Sequence, residues 1–294
     1  MNIRIVADSA CDLPKSLVEE MNIDIMPVPI TDGTTDYKDG INITPEVIYK
    51  NMKEGVIYKT SQIPLADYIE KYTYYAENNI PMLSVVMSSG ISSSSKTSQM
   101  AINIVKELYP NAPIYSVDSK CCSLGHGFAA YMLAKSANSG HNIDTLLELL
   151  HFIQNNMVST ASLDDLKYVA RGGRLPNVVA MIANTLNIKP FLNADDGSLH
   201  LSDRVRGVKK MYKKYVEIIK DRVETIDLKN SQIWIEKSDD EEMLLTLRDT
   251  IKEDFGLTND NFILGTIGPI IGAHIGPGSM CMFFLTNPIP DMYF

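Results

Sequence analysis

The chain has 294 residues, of which 45% are apolar and 21% charged, a balance that supports a packed core and excludes both a disordered chain and a small disulfide-stapled scaffold. Length alone favours roughly two domains. Thirty-six acidic against 27 basic side chains leave a formal charge of -9, which argues against a general polyanion binder such as a nucleic-acid protein.

In chain order, Ile3 to Ala7 reads as a first strand and Pro14 to Met21 as a short helix. Ile25 to Ile30 follows as an extended segment interrupted by Pro27 and Pro29. Thr44-Pro45-Glu46 marks a helix start, with Thr44 as cap and Pro45 in the first turn, and that helix ends near Gly55. Another helix follows Pro64. Pro81 to Met87 forms a dense apolar strand, then come a serine-rich turn and a helix from about Lys96 to Leu108. Ile114 to Val117 is a strand ending at Asp118-Ser119. Gly125 to Ser136 and Ile143 to Ile153 carry helical periodicity and are expected to cover the sheet.

Short apolar runs alternating with amphipathic helices predict βα units feeding a mostly parallel sheet. The character changes near residue 155. Beyond it, Val158 to Ser162, Phe191 to Leu201, Gln232 to Ile235, Phe262 to Thr266 and Cys281 to Leu285 read as extended. Helices over about Val208 to Val223 and Glu241 to Phe255 separate some of them, and Asp195-Asp196-Gly197 looks like a hairpin turn. The expected fold class is therefore α/β: a parallel βα domain over residues 1–155, then an α+β domain with an antiparallel sheet over 156–294.

The four cysteines, Cys11, Cys121, Cys122 and Cys281, include no C-x-x-C pair. Neither a zinc spacing nor a disulfide framework is present, and free thiols suit a reducing cytoplasm. The N-terminal residues lack the apolar core of a signal peptide, and no run reaches the ~18 apolar residues of a spanning helix.

Three loops could carry chemistry. Ser88 to Thr97, between a strand and a helix, nearly fits a P-loop read from Gly90, with Ser95 where the second glycine belongs and Asp118 as a magnesium-type aspartate. It also half-fits a nucleophile elbow with Ser92 as nucleophile and Ser94 in place of glycine. A nucleotide-binding enzyme or a serine hydrolase using Ser92 and His274 are thus the enzyme alternatives. A bland helix cap is the other reading of the same hydroxyls, while a strand-to-helix turn at the edge of a parallel sheet also suits a small anion. Lys59 to Pro64 repeats that chemistry with Thr60 and Ser61. The third loop, Ala273 to Gly278, carries His274 among glycines that allow close backbone approach. Arg171-Gly172-Gly173-Arg174 suits contacts to carboxylate or phosphate. Arg204, Arg206, Lys209, Lys210, Lys213 and Lys214 form a basic run at the start of the long helix, with the lysines opposite Val208, Tyr212 and Tyr215. Such a patch fits a solvated face, an acidic partner or an anionic membrane surface.

Asp8-Ser9 with Asp12-Leu13, Thr60-Ser61-Gln62, the serine loop, Asp118-Ser119, Arg171 to Leu175, Lys189-Pro190 with Asp196-Gly197, Arg204 with Arg206, and His274 to Gly278 occur in one order along nearly the whole chain. In that set the chain resembles the DegV family of bacterial fatty-acid-binding proteins, the lipid-carrying subunits of fatty acid kinase. The resemblance implies an N-terminal α/β and a C-terminal α+β domain clasping one long-chain fatty acid such as palmitate, stearate or oleate. It implies no other cofactor, no metal and no catalytic nucleotide site in this chain. The carboxylate then falls to Thr60, Ser61, Ser92, Ser93 and His274, and the head group or kinase-facing surface to Arg171, Arg174, Arg204 and Arg206. The implied partners are a separate ATP-dependent kinase and, transiently, a membrane surface. One departure stands out: the family's Ser-Gly-Thr is Ser92-Ser93-Ser94 here. Burying about 14–16 methylenes at ~0.8 kcal/mol each supplies roughly 11–13 kcal/mol gross, enough for firm binding after association costs.

Overall fold

The computed structural model describes residues 2–175, 187–222, 228 and 231–294. The first part builds β1 (Arg4–Asp8), α1 (Lys15–Met21), β2 (Asp24–Met26), β3 (Pro29–Thr31), β4 (Asp36–Lys38), α2 (Pro45–Lys53), β5 (Lys59–Thr60) and α3 (Leu65–Glu77). It continues with β6 (Met82–Val86), α4 (Ser94–Leu108), β7 (Ile114–Asp118), α5 (Ser123–Asn138) and α6 (Ile143–Asn156). Strands pair in the order β2-β1-β6-β7, all parallel. Every residue of β6 is buried, as expected for a central strand covered on both faces. The segment expected as one extended run is two strands, because Pro27 breaks it: β2 stays in the parallel sheet while β3 joins β4 and β5 in a small antiparallel sheet. Pro45 occupies the first turn of α2 and Thr44 its cap position, but the Thr44 hydroxyl makes no capping bond to the helix.

The second part comprises β8 (Met157–Ser162), α7 (Leu166–Gly172), β9 (Ile188–Asn193), β10 (His200–Arg206), α8 (Val208–Arg222), β11 (Ile233–Lys237), α9 (Glu241–Phe255), β12 (Phe262–Thr266), α10 (Pro269–Ile275) and β13 (Met280–Leu285). Its sheet runs β10-β9-β8-β13-β11-β12, antiparallel except for the β11/β12 pair. Phe191 to Leu201 is thus a hairpin in which Gly197, at φ +86°, supplies the left-handed turn residue. The expected end of the long helix at Val223 lies outside the described residues. Its buried stripe is Met211, Tyr215, Val216 and Ile219; of the face expected at Val208, Tyr212 and Tyr215, Tyr215 is buried, and Val208 and Tyr212 are not.

Side chains of β13 alternate between two cores. Met280, Met282 and Phe284 pack under α8 and α9, whereas Cys281, Phe283 and Leu285 face the first part of the chain. Helix α5 lies between the two sheets. It was expected to be amphipathic, but 13 of its 16 residues are buried, since a helix with a sheet on each side has no solvent face. Gly125 and Gly127 allow this approach, since a Cβ would strike the Phe283 ring at the first and the Cys11 carbonyl at the second. Among the described residues no helix is long and apolar enough to cross a membrane.

Candidate functional site

Between the two parts lies a cavity with about 910 Å³ of atom-free space, open solvent included. Its walls are mostly apolar: Met87 and Ile91 from the first part meet Leu192, Ile270, Ile271 and Phe283 from the second. Polar lining groups come from β5, the serine loop and α10, and also from β8 and β9, which bring Ser159, Thr160 and Asn193. Thr60 Oγ1 lies 2.7 Å from His274 Nε2, and Ser92 and Ser94 share the lining.

The local backbone explains each position. Thr60 is held by β5 pairing with β3, Thr60 opposite Ile30, and the Ser61 N–H donates to the Pro29 carbonyl at 3.1 Å. The serine loop turns back on Ser88, whose carbonyl accepts from Ile91 and Ser92 N–H. The Ser88 hydroxyl donates to the Gly197 carbonyl at 2.6 Å, tying the loop to the β9/β10 hairpin of the second part. Ser92 Oγ accepts the Ser94 N–H at 3.2 Å and lies 2.9 Å from Ser94 Oγ. When Ser94 donates both bonds, the one proton of Ser92 is left to point at a guest.

His274 stands on the last turn of α10, not in the irregular loop expected from its glycines. Pro269 at the helix start and Gly276 at its end, φ +82°, delimit that helix. Gly172 of α7 leaves room for the imidazole: a Cβ there would sit 2.6 Å from His274 Nδ1. Burial foremost, and the Arg174 guanidinium second, push the His274 pKa down to about 4. The imidazole is therefore neutral near pH 7. Since the unfolded chain titrates near the ordinary histidine value, this site costs stability as pH falls from about 6.5 towards 4. NMR titration of the imidazole should show a neutral ring down to about pH 5; a midpoint above 6 would contradict this environment.

The predicted residues do not all converge. Thr60, Ser61, Ser92, His274 and Arg174 line the cavity. Ser93 is exposed and is absent from that lining; its carbonyl accepts the Thr97 N–H at 3.1 Å, so it serves the start of α4. Arg171 stacks over the Tyr168 ring, 5.8 Å from its centroid, in an outer cleft of about 1090 Å³ that shares Thr60, Arg174 and His274 with the cavity. Arg204 and Arg206 sit on β10, remote from both linings, and Gly207 at φ +84° separates them from the helix they were expected to start. Lys214 is tied to Asp203 at 2.6 Å, leaving Lys209, Lys210 and Lys213 exposed.

The enzyme alternatives find no matching geometry among the described residues. Ser92 bonds Ser94 while His274 bonds Thr60, so no serine–histidine pair is set up. Asp118 accepts from Ser89 and Lys120 N–H at 3.1 and 2.7 Å, which closes its loop. Sequence reasoning missed Ser94 and the apolar wall; the two-residue period of β13 was the available signal for Cys281 and Phe283.

A family model described as "Uncharacterised protein, DegV family" matches residues 2–287. A DegV domain-containing protein of Clostridium perfringens is 31% identical over 284 residues, 96% of each chain. A fatty-acid-binding DegV family protein from Thermus thermophilus has a similar structure, with TM-score 0.87 at 25% identity over 97% of this chain and 99% of that one. A stearic-acid-binding protein from Eubacterium ventriosum shares the fold with TM-score 0.87 at 23% identity, over 97% and 98%.

Proposed function

Because the chain belongs to the DegV family, we propose that it binds one long-chain fatty acid, such as palmitate, stearate or oleate, with its tail in the cavity between residues 1–155 and 156–294. The observation that carries this reading is that Thr60 and His274, in contact with each other, share with Ser92 the lining of one mostly apolar cavity. The tail supplies the affinity by leaving water. The carboxylate, taken out of water, needs donors: the Ser92 hydroxyl is one, and the Thr60 hydroxyl is the other when the neutral His274 imidazole donates its Nε2–H to Thr60. Ser61 and Arg174 stand at the rim; the guanidinium favours the anion without enclosing it.

In the proposed cycle this protein is a cytoplasmic carrier and not itself an enzyme. It presents the carboxylate through the outer cleft to a separate ATP-dependent kinase, which forms the acyl phosphate. Arg171 beside the outer cleft and, separately, Arg204, Arg206 and the exposed lysines of α8 offer cations within an acidic protein for that partner, and for brief contact with a membrane surface. The test has two arms. Protein isolated from bacteria should show bound acyl mass in native mass spectrometry; an apo mass that does not change on adding oleate sinks the reading. Reversing Lys209, Lys210 and Lys213 to Glu should leave that bound mass while suppressing kinase-dependent acyl-phosphate formation. Undiminished phosphorylation would remove α8 from the docking face.

A further inference from the structure

Behind the cavity wall, two carboxyl groups from the two parts of the chain meet at one hydroxyl. Ser123 lines the cavity at the start of α5 and donates to Asp12 Oδ2. The same hydroxyl reaches Glu236 of β11, whose Oε1 accepts the Leu124 N–H at 3.3 Å. The remaining oxygens, Asp12 Oδ1 and Glu236 Oε2, are buried without a partner. Asp12 and Ser123 both have left-handed backbone, φ 51° and 52°, without being glycine.

One proton suffices for all three groups: with Asp12 protonated and donating to Ser123, the Ser123 hydroxyl proton turns to Glu236, and with Glu236 protonated the order reverses. Among the titratable neighbours, Cys281 hydrogen-bonds Glu236 and favours its ionised form, and the acidic groups oppose ionisation. Asp39, Asp8 and Cys11 lie by Asp12, Tyr49 faces both carboxyls from α2, Cys281 and Cys122 adjoin them from the cavity side, and Asp239 lies beyond Tyr49. All are acidic or neutral. The cation next in sequence, Lys237, is engaged elsewhere, with Thr266 and Glu241. Burial and the facing carboxylate raise Asp12 well above the ordinary range, and burial raises Glu236 to about 7. A cleft of about 630 Å³, walled by Asp12, Leu13 and Pro14 on one side and by Glu241, Leu244 and Leu264 on the other, brings water to the edge of the pair.

We propose that Asp12, Ser123 and Glu236 share one proton across the two parts of the chain, as a clasp that loosens when the proton leaves and so speeds release of the cavity's ligand. The clasp rests on the fatty-acid reading only for the identity of what is released. The sign follows from linkage: the closed state holds a proton that separated carboxyls give up above about pH 4.5, so closure weakens as pH rises through about 7 and is constant beyond.

The experiment follows transfer of radiolabelled oleate to phosphatidylcholine vesicles between pH 5.5 and 7.5. The rate from the wild-type protein should rise on the order of tenfold or more. Glu236→Gln, whose amide still donates to Ser123, should give a slow and much flatter profile, and Asp12→Asn provides a second removal of the pair's charge. Asp39, raised to about 6 mainly by burial, titrates in the same window, so Asp39→Asn should retain the slope. An unchanged slope in Glu236→Gln overturns the clasp, as does a slope lost only in Asp39→Asn. The apo protein provides an arm independent of lipid: Tm should fall with pH over the same range in wild type and less so in Glu236→Gln. Should oleate fail to bind at any pH, the ligand reading falls and the Tm comparison alone decides the clasp.

Discussion

Replacing Trp234 with Ala should lower the unfolding free energy by about 3–5 kcal/mol, the usual loss for a buried Trp truncated in a core. Trp234 is 0% exposed and stands on β11, yet its aromatic neighbours belong to α5 in the first part of the chain. Phe128 and Tyr131 meet it edge-on with centroids 5.1 and 5.7 Å away. Truncation therefore opens a void at the joint between both sheets, where neither can collapse without drawing α5 with it. The Trp234 Nε1 has no partner, so removing it leaves no acceptor unsatisfied and the loss is one of packing. Because this is the only tryptophan, the comparison is made by circular dichroism in urea, reading the midpoint at unchanged slope. A loss below about 1 kcal/mol would show that the two parts are not coupled through this contact.

The second large effect is on ligand binding. Combining Thr60→Val with Ser92→Ala should weaken oleate binding by about 3–6 kcal/mol, on the order of 10² to 10⁴ in Kd, because hydrogen bonds to a charged group are worth about 1.5–3 kcal/mol each. Valine matches the shape of threonine, so the apolar wall remains. His274 Nε2 loses its partner at 2.7 Å but keeps its place against Gly172. A fluorescent-analogue displacement titration gives the number, with circular dichroism confirming the fold. Unaltered affinity would mean that the carboxylate sits elsewhere, most simply against Arg174.

The parallel sheet of the first part was legible because β1 and β6 are short apolar runs of the kind that burial on both faces explains; β7, at the sheet edge, is only partly buried. The hairpin at Asp195-Asp196-Gly197 was legible from turn chemistry. Two short helices were not. Leu166–Gly172 and Pro269–Ile275 are each seven residues long, too short for helical periodicity to accumulate, and the glycines that look like loop formers are contact points between them. Gly172 accommodates the His274 ring and Gly276 the Tyr168 ring. Thr60, Ser92 and His274 were recognisable as loop residues able to hold an anion, but their convergence depends on strand and helix placement over 214 positions of chain. The acid pair was invisible for the same reason. Nothing near Glu236 in the sequence distinguishes it from a surface glutamate; only its position on the inward face of β11 does.

Helix α5 also sets an order of events during synthesis. Its partners on one side, β1 and β6, leave the ribosome before it does, but Trp234 and Phe283 on the other side are made roughly 100 and 150 residues after it, a delay of several seconds at ordinary translation rates. Throughout that interval one side of a helix that ends almost entirely buried has no protein surface to meet. The nascent chain must hold this helix in solution, shielded or unfolded, until the last strand of the second sheet is complete, so the final folding step is the burial of a segment from the middle of the chain.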